Sequence, residues 1–493
     1  MNVALRKSLL AAAASLLLAA PLGAQAVYLN SDGIGQALIY PYYTAQSSDG
    51  NPFNTYITVI NSGTDAKALR VRFREARNGA PVLSFNLFLA PYDAWAGAVV
   101  PFGSGARLLT NDSSCTDPPF IVEFAPGSLP FLDFSNAAYA GDGAGDGIER
   151  TREGFVEILE MATLTGASAA AVTGAGNDVP PACSGIRGAA SLTTAAPSGA
   201  LSGTLTLINV ASGMDFTVRS DALAQLATRS YYRPGADPYP DFNAAEIDAV
   251  STVPANGVVY QSVWGRPVDA VSATLMRSHW LSEFILDNAT TSRTDVIVTF
   301  PTRSFYITSA GATSPFTTPT ATGPSCTPGR GEPFNFAYFN REERFPPCDS
   351  CGFTLPPQEA PPPLLCAAST ALSIVNGAAH SPAPGASGVM GASSTLSMPL
   401  RSGDWQHGWL DISPRQGSLA SLAASLRLNT ATGAQSAGSH GFSGLPVIGF
   451  NVRTFRFNAL PCSAGLCQGN YGGAYPLRFR RSTICRRVTS SYE

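Results

Sequence analysis

Few residues of this chain could carry out acid–base or nucleophilic chemistry. The small number of histidines restricts the possible catalytic sites most. The chain contains four: His279, His380, His407 and His440. Trp405 and Trp409 flank His407 at a spacing of two residues. Tryptophan rings beside a histidine can stack against sugar rings or fill an apolar core. Trp405, His407 and Trp409 are therefore candidate binding residues, with core packing as the alternative.

Sequence patterns of common enzyme classes are missing. A serine hydrolase often carries its nucleophile in G-x-S-x-G. No segment matches this pattern, and Gly441-Phe-Ser-Gly444 comes nearest but lacks the final spacing. No H-E-x-x-H pair is present, which excludes a zincin-type metal site. No phosphate-binding loop or dinucleotide fingerprint follows a predicted strand, so we assign no catalytic residue and no cofactor.

Two sets of acidic residues have spacings that could support calcium binding or glycoside hydrolysis. Asp142, Asp146 and Glu149 lie in a glycine-rich segment that resembles one degraded turn of a calcium β-roll. Calcium takes roughly six to eight oxygen ligands, and these carboxylates could supply several. One turn cannot stack on a neighbour, so a glycine-rich hairpin loop is the alternative. Glu157 and Glu160 could form a glycosidase pair, although most such pairs are surface charges.

The cysteines predict a disulfide framework. The nine are Cys115, Cys183, Cys326, Cys348, Cys351, Cys366, Cys462, Cys467 and Cys485. An odd number leaves at least one free, intermolecular or modified, and the sequence does not fix the connectivity. We expect one pair between Cys115 and Cys183 and another between Cys462 and Cys467. The four cysteines between positions 326 and 366 would pair among themselves, which leaves Cys485 over.

A four-cysteine zinc site is the alternative for the central cysteine cluster. Cys348 and Cys351 have the C-x2-C spacing of zinc ligands. The rest of the cluster lacks a second such pair, and an oxidising compartment favours disulfides. We therefore expect no metal in this cluster.

The first 26 residues predict export. Arg6 and Lys7 precede an uncharged apolar stretch, and Ala24 and Ala26 are the small residues expected before a cleavage site. A retained membrane anchor is the alternative, although the stretch is short for spanning a bilayer. No later apolar run is long enough, so we expect no transmembrane helix in the mature chain. The protein would lie in the periplasm, at the cell surface or in the medium.

Composition and charge restrict the fold and the partners. The formal net charge is −3, and removal of Arg6 and Lys7 makes it −5. Non-specific nucleic-acid binding needs clustered cations, so we expect no nucleic-acid partner. Only 13% of residues are charged, whereas 45% are hydrophobic, and 47 glycines and 38 prolines favour tight turns. These values indicate a mostly β protein with a substantial core.

Alternating apolar residues place the clearest strands near the N-terminus. Residues 55–61 are β-branched and aromatic, and in 68–74 apolar residues alternate with Arg70, Arg72 and Arg74. Period-two alternation predicts one buried and one wet strand face, with the arginines on the wet face. Asn78-Gly79 predicts a type I′ hairpin turn before a return strand at 82–89.

Later segments give further predicted elements. We expect a long Ala/Gly/Ser/Thr-rich loop over 166–199, tied down by Cys183, and strands over 201–219. Further predicted strands are 258–263, 273–286, 295–308, 444–450 and 452–457. Short helices are predicted at 221–229 and 418–426.

These elements predict two or three β-sandwich-like (Ig-like) domains with Pro/Gly-rich loops and a few short helices. The signal peptide would occupy 1–26 and a first sandwich with an Ala/Gly-rich loop 27–200. A second β domain would follow over 201–310. Residues 311–400 read as a Pro/Thr/Gly-rich, cysteine-containing excursion or linker, and 401–493 as a C-terminal β segment.

Several blocks resemble an uncharacterised family of secreted, extracytoplasmic proteins of Gram-negative bacteria. These blocks are residues 54–61, 71–79 with 85–89, 152–160, 299–302 with 305–306, 340–344, 444–450 and 470–473. They extend over nearly the whole mature chain. The resemblance implies an extracytoplasmic location and a shared architecture, and it implies no reaction, ligand or catalytic residue.

The sequence thus favours a structural, adhesive or binding role in the cell envelope or at the surface, without catalysis. Expected partners are further copies of the chain or a cell-surface protein or glycan. Exposed aromatic residues and edge strands would carry such contacts. The alternative is a secreted carbohydrate-active or other hydrolytic enzyme with its site near Trp405, His407 and Trp409.

Overall fold

The computed structural model describes residues 26–123, 125, 127–174, 180, 182–322, 330–342, 362–376, 385–400, 405–414, 428–429, 440–462 and 465–485. For 458–462, 465–468, 484–485, 428–429 and 440 it describes the backbone alone. The predicted signal peptide except Ala26, the predicted helix at 418–426, His380 and three cysteines of the central cluster lie outside these residues.

The first half of the chain forms sixteen strands among the described residues. They are β1 (Tyr28–Asn30), β2 (Ala37–Thr44), β3 (Ser47–Ser48), β4 (Asn51–Pro52), β5 (Asn54–Asn61), β6 (Lys67–Glu75), β7 (Pro81–Leu89), β8 (Ala94–Phe102), β9 (Gly105–Leu109), β10 (Cys115–Asp117), β11 (Phe131–Asp133), β12 (Glu153–Leu164), β13 (Thr194–Ala195), β14 (Leu201–Asn209), β15 (Met214–Arg219) and β16 (Asp221–Ala224). One α-helix, α1 (Gly166–Val172), follows β12.

The second half contributes seventeen strands within the described ranges. They are β17 (Val250–Ala255), β18 (Val258–Val263), β19 (Met276–Arg277), β20 (His279–Ile285), β21 (Arg293–Thr299), β22 (Glu332–Asn340), β23 (Leu364–Leu365), β24 (Ser369–Val375), β25 (Thr395–Pro399), β26 (His407–Pro414), β27 (Leu428–Asn429), β28 (His440–Ser443), β29 (Leu445–Pro446), β30 (Ile448–Cys462), β31 (Gly465–Pro476), β32 (Arg478–Arg480) and β33 (Ser482–Cys485). The second α-helix, α2 (Pro267–Leu275), lies between β18 and β19. Short 3-10 turns lie at Ile148–Arg152, Cys183–Gly185 and Arg303–Phe305.

The first sandwich consists of two sheets. Sheet I has the order β1-β16-β2-β12-β6-β7-β10, with β13 also paired to β12, and sheet II has the order β11-β9-β8-β5-β14-β15. Their facing sides bury side chains such as Tyr40, Ile57, Phe73 and Trp95. In β5 the residues alternate, so that Ile57 is buried while Tyr56 is 47% exposed. The mostly β, sandwich-rich fold predicted from the sequence is confirmed.

The second sandwich also has two principal sheets. Sheet III has the order β23-β22-β26-β20-β32, and sheet IV has the order β25-β24-β21-β30-β31. Strands β22 to β25 come from the segment 311–400, which the sequence analysis assigned to an excursion or linker. Proline-rich composition suggested that assignment, whereas the strands lie in the short apolar stretches between the prolines.

The two sandwiches share apolar packing. Ile297, Phe450 and Val452 of sheet IV belong to the same buried cluster as the interior of the first sandwich, and the Thr299 hydroxyl donates to the carbonyl of Pro41 over 2.6 Å. Strands on both sides of residue 200 belong to sheets I and II, because β14 pairs with β5 and β16 pairs with β2. The first sandwich therefore extends through β16.

Two predictions of secondary structure are wrong because tertiary contacts override the local sequence preference. The segment 221–229, predicted as a helix, begins instead as strand β16, which pairs with both β1 and β2 despite its alanine and leucine content. The strand predicted over 273–286 begins as helix α2, which has Pro267 at its first turn and Asp269 near its N-terminus. Both features favour a helix start, and nearly every α2 residue is buried.

The hairpin between β6 and β7 is confirmed, but its turn is not type I′. Gly79 has φ of 74°, whereas Asn78 is outside the left-handed region. The Asn78 amide instead donates to Asp142 over 2.8 Å, and its carbonyl oxygen accepts the Ala321 N–H over 3.0 Å. Asn78 therefore connects the turn to distant segments.

The wet arginine face predicted for β6 is wrong. Arg70, Arg72 and Arg74 are 0%, 2% and 5% exposed. The irregular segment between β16 and β17 covers part of this face, and its backbone carbonyls accept hydrogen bonds from Arg70 and Arg72, whereas Arg74 donates to the Gly79 carbonyl. Arg70 Nη2 donates to the Pro234 carbonyl over 2.8 Å, and Arg72 Nη2 donates to that of Pro238. Alternation identified two strand faces but could not show that a second layer covers the polar one.

Carboxylates of β12 pair with Arg72, Arg74 and the buried Lys67. Glu157 Oε2 lies 2.8 Å from Arg74 Nε and 3.8 Å from Arg72 Nη1. The Arg74 contact is an ion pair without hydrogen-bond alignment. Glu160 Oε1 lies 2.8 Å from Lys67 Nζ, and both of those side chains are fully buried. Glu157 and Glu160 are thus held in separate ion pairs.

Candidate functional site

A large cleft lies where one edge strand from each of the four sheets converges. Its volume is about 1190 Å³, and its lining includes residues of β1, β15, β31 and β32. Residues of β16, β19 and β20 and the turn between β17 and β18 also line it. We call this space the inter-sandwich cleft. Edge strands have unpaired backbone groups, so their convergence provides hydrogen-bonding capacity as well as side chains.

Arg277, at the end of β19, is the most deeply buried cation of the cleft. It is 5% exposed, and its Nη1 donates to the carbonyls of Thr274 and Met276 at 2.9 Å each. The guanidinium lies 5.2 Å from the centre of the Phe479 ring. Burial and the neighbouring charge of Arg481 lower the pKa of Arg277 to about 9. The group stays cationic at neutral pH.

Arg481, just after β32, is held in a similar way. It donates to the carbonyls of Pro254 over 2.9 Å and Thr274 over 2.6 Å. Its buried Nε has no hydrogen-bond partner among the described residues, and burial lowers its pKa to about 10. Arg219 and Arg480 also line the cleft, and both are exposed.

Asp221, the first residue of β16, is the acidic residue among the described lining side chains. Burial raises its pKa to about 6, although the charge of Arg277 opposes the shift. Within the described part of the chain, no hydrogen bond to its carboxylate is present. A carboxyl with a strongly shifted pKa that faces a cleft is typical of functional sites. With four arginines and Asp221, the lining has a net charge of +3, on a chain of net charge −3.

His279 lies in the same lining and pairs with a distant acid. Its Nδ1 lies 2.8 Å from Asp411 Oδ1, across the β20–β26 ladder. This contact can fix the orientation of the imidazole. Among the described residues no serine, threonine or cysteine side chain hydrogen-bonds to the ring, so the structure does not assemble a nucleophile–histidine–acid triad. The pair is not predictable from the sequence, because the two residues are 132 positions apart.

The predicted site at Trp405, His407 and Trp409 lies outside the described cleft lining, on sheet III. Trp405 is buried, and its ring centre lies 5.5 Å from that of Tyr338. Trp409 is 36% exposed and stacks on Phe339 across the strands, with ring centres 4.1 Å apart. Trp405 thus follows the core-packing alternative, whereas Trp409 remains open to solvent on one side.

His407 is half-buried beside these rings. Burial and the charge of Arg341 lower its pKa, and Asp287 acts in the opposite direction. Its buried Nδ1 lacks a hydrogen-bond partner in the described segments. The structure therefore does not combine His407 with a hydrogen-bonded carboxylate there, as a general acid–base pair would require.

Two of the three predicted calcium ligands, Asp142 and Asp146, are engaged in protein contacts, and the third, Glu149, is exposed. Asp142 forms two 2.8 Å hydrogen bonds with Arg150. Burial acts to raise the pKa of Asp142, but the hydrogen bonds from Arg150 and Asn78 outweigh it and hold the pKa below its usual value. Asp146 accepts the Gly141 N–H over 2.8 Å. In the described ranges, neither these residues nor any other group of three His, Cys, Asp or Glu side chains could hold a metal ion.

The disulfide predicted between Cys115 and Cys183 is confirmed. It joins β10 to the 3-10 turn in the Ala/Gly-rich loop, with Cα atoms 5.3 Å apart. Cys366 is also disulfide-bonded, which removes it as a thiolate ligand for zinc. Cys326, Cys348 and Cys351 and the side chains of Cys462, Cys467 and Cys485 lie outside the described part of the structure.

Comparison with known proteins provides no template for this arrangement. The chain matches no protein-family model, no curated protein and no solved structure. Among the described residues, no helix is both long and apolar enough to span a bilayer.

Proposed function

We propose that this chain is an exported, non-catalytic binding protein of the cell envelope or cell surface, and that the inter-sandwich cleft is its ligand site. The predicted signal peptide and the disulfide between Cys115 and Cys183 support export, because disulfides persist in oxidising compartments. The adhesive and structural roles expected from the sequence are compatible with a site that holds a partner without transforming it.

The observation that carries this proposal is the polar lining of the cleft. The buried Nε of Arg481 has no hydrogen-bond partner among the described residues, and none of them donates to the half-buried Asp221 carboxylate. Leaving a buried polar group without a partner costs about 1–3 kcal/mol. A bound ligand would recover this cost, and about 1190 Å³ is ample for an organic molecule.

A substitution that fills part of the cleft tests the proposal directly. Ala474 lines the cleft on β31 and is half-buried, so Ala474→Trp would occupy part of the ligand space. Ala98, half-buried on β8 and outside the described lining, provides the matched control Ala98→Trp. Full-length mature protein would be screened by thermal shift and calorimetry against sugars, organic acids and peptides. We expect a saturable ligand that Ala474→Trp abolishes and Ala98→Trp retains. Binding that survives Ala474→Trp would contradict the proposal.

A catalytic role is the second candidate, favoured by the contact between His279 and Asp411 in the cleft. In that case the bound ligand would be converted to product. His279→Gln would then abolish conversion while retaining most of the ligand affinity. We expect no conversion by the wild type, and steady product formation that His279→Gln removes would establish the enzyme instead.

A further inference from the structure

We propose that the inter-sandwich cleft selects an organic anion with two or more acidic groups, and that it holds this anion more tightly at acidic than at neutral pH. The inference rests on the proposed binding function of the cleft and names its ligand class and its regulation. It follows from the charge, the size and the one carboxyl group of the described lining.

The arginines are placed to receive acidic groups from a ligand. Arg219 lies on the edge strand of sheet II and Arg480 on the edge strand of sheet III. Both are exposed, and neither guanidinium hydrogen-bonds to another described residue. A guanidinium presents a planar fork of donors that matches carboxylate and phosphate groups. Two forks from different sheets favour a ligand with at least two acidic groups.

The size and apolar parts of the cleft favour an organic ligand over a simple ion. Ligand cavities are typically about 300–1000 Å³, and this cleft reaches about 1190 Å³. Tyr475, which is 41% exposed, and the Phe479 ring lie in the same lining as the arginines. These rings can pack against the body of a ligand while the arginines hold its acidic groups. Sugar acids and sugar phosphates share this chemistry.

The Asp221 carboxyl supplies the pH dependence. It is the one acid in the described lining, where the basic residues are Arg219, Arg277, Arg480, Arg481 and His279, and the charge of Arg277 acts on it directly. Burial raises its pKa to about 6, so it gains a proton as the pH falls through that value. Protonation removes a charge that repels anions and creates a hydrogen-bond donor.

Calorimetry with defined probes tests the ligand class. Trigalacturonate represents a sugar acid, glucose 1,6-bisphosphate a sugar phosphate, and galactotriose the neutral counterpart. Titrations of the mature protein would be compared at about pH 5 and about pH 8. We expect at least one anionic probe to bind with one-to-one stoichiometry, about tenfold more tightly at the lower pH. Galactotriose should not bind. Preference for one of the two anions identifies the acid that the cleft accepts.

Charge variants identify the side chains that bind the anion and the one that makes binding depend on pH. Arg480→Glu reverses an exposed charge of the lining and should weaken anion binding at least tenfold. Arg229→Glu is the control, because Arg229 is exposed and outside the described lining. Asp221→Asn should bind the anion at about pH 8 as tightly as the wild type does at about pH 5.

Each remaining outcome overturns a defined part of the inference. Failure of both anions to bind at either pH, or equal binding of galactotriose, shows that the ligand class is wrong. Unchanged affinity in Arg480→Glu shows that the exposed arginines of the lining do not bind the anion. Equal affinity at both pH values contradicts the role of Asp221. In all these cases the proposed function stands if Ala474→Trp still abolishes binding of a ligand from the wider screen, and it fails if Ala474→Trp has no effect.

Discussion

The molecule buries arginine in two regions and satisfies its charge differently in each. On β6, Lys67 and Arg74 lie 2.8 Å from carboxylates of β12 and Arg72 lies 3.8 Å from one, whereas Arg70 donates to a backbone carbonyl of the covering segment. In the inter-sandwich cleft, Arg277 and Arg481 donate to backbone carbonyls that carry no full charge. Close carboxylates of the fold therefore pair with three of the four cations of the first region, whereas the lining of the cleft keeps an excess positive charge.

This difference indicates that arginine has a structural role in the first region and a binding role in the second. A buried ion pair whose partners all come from the fold contributes little net stability, yet removing one partner is strongly destabilising. In the cleft, burial lowers the pKa of Arg277 to about 9 although the charge of Asp221 opposes the shift, so its guanidinium would gain from an anion that enters. Substitutions in the first region should therefore affect unfolding, and those in the second should affect ligand binding.

The largest effect is expected at Glu160. It accepts hydrogen bonds from Lys67 Nζ and from the backbone N–H groups of Ser198 and Gly199, at 2.8–2.9 Å. Glu160→Ala would leave the Lys67 ammonium buried without a counter-ion, so the free energy of unfolding should fall by about 3–5 kcal/mol. Chemical denaturation measures this change.

The double variant Lys67→Met with Glu160→Leu provides the control for that substitution. Replacing both charges with apolar side chains removes the uncompensated ion, so most of the lost stability should return. A double variant as unstable as Glu160→Ala would show that the two charges do not act as a pair.

The next largest loss of stability is expected on removal of the disulfide that lies beside the segment covering β6. Cys115 on β10 joins Cys183 across 68 residues, and the neighbouring Asp117 accepts the N–H of Gly235 in the covering segment over 2.9 Å. Replacing both cysteines with alanine should lower the free energy of unfolding by about 2–4 kcal/mol. Ligand affinity at the cleft should not change, and a loss of affinity at constant stability would show that the two regions are coupled.

A smaller effect, dependent on pH, is expected at Asp221. Its folded-state pKa of about 6 lies above the usual value of 3.8, so the folded protein binds this proton more tightly than the unfolded chain does. Stability should therefore fall as the pH rises from about 4 to about 6, by at most about 2 kcal/mol because the carboxyl is only half-buried. Asp221→Asn should flatten this part of the stability profile. A profile equally steep in the variant would assign the titration to another group.

The sequence predicted the parts of the fold that depend on local pattern. Alternation in 68–74 and the Asn78-Gly79 turn located the β6–β7 hairpin, and loop composition together with cysteine position located the disulfide to Cys115. The burial of Arg70 was not predictable, because its partner Pro234 lies 164 positions away. The cleft was missed for the same reason, since its lining draws on residues from Leu29 to Ser482.

The smallest effect on stability should accompany the clearest loss of function. Arg480 is exposed and its guanidinium hydrogen-bonds to no described residue, so Arg480→Glu should change the free energy of unfolding by no more than about 0.5 kcal/mol. The same reversal at Arg72, which is 2% exposed and 3.8 Å from Glu157, would bury two carboxylates together and should prevent stable folding. Denaturation and calorimetry on the two variants measure both quantities. If Arg480→Glu destabilised the fold without weakening anion binding, the arginines of the cleft would be structural like those of β6.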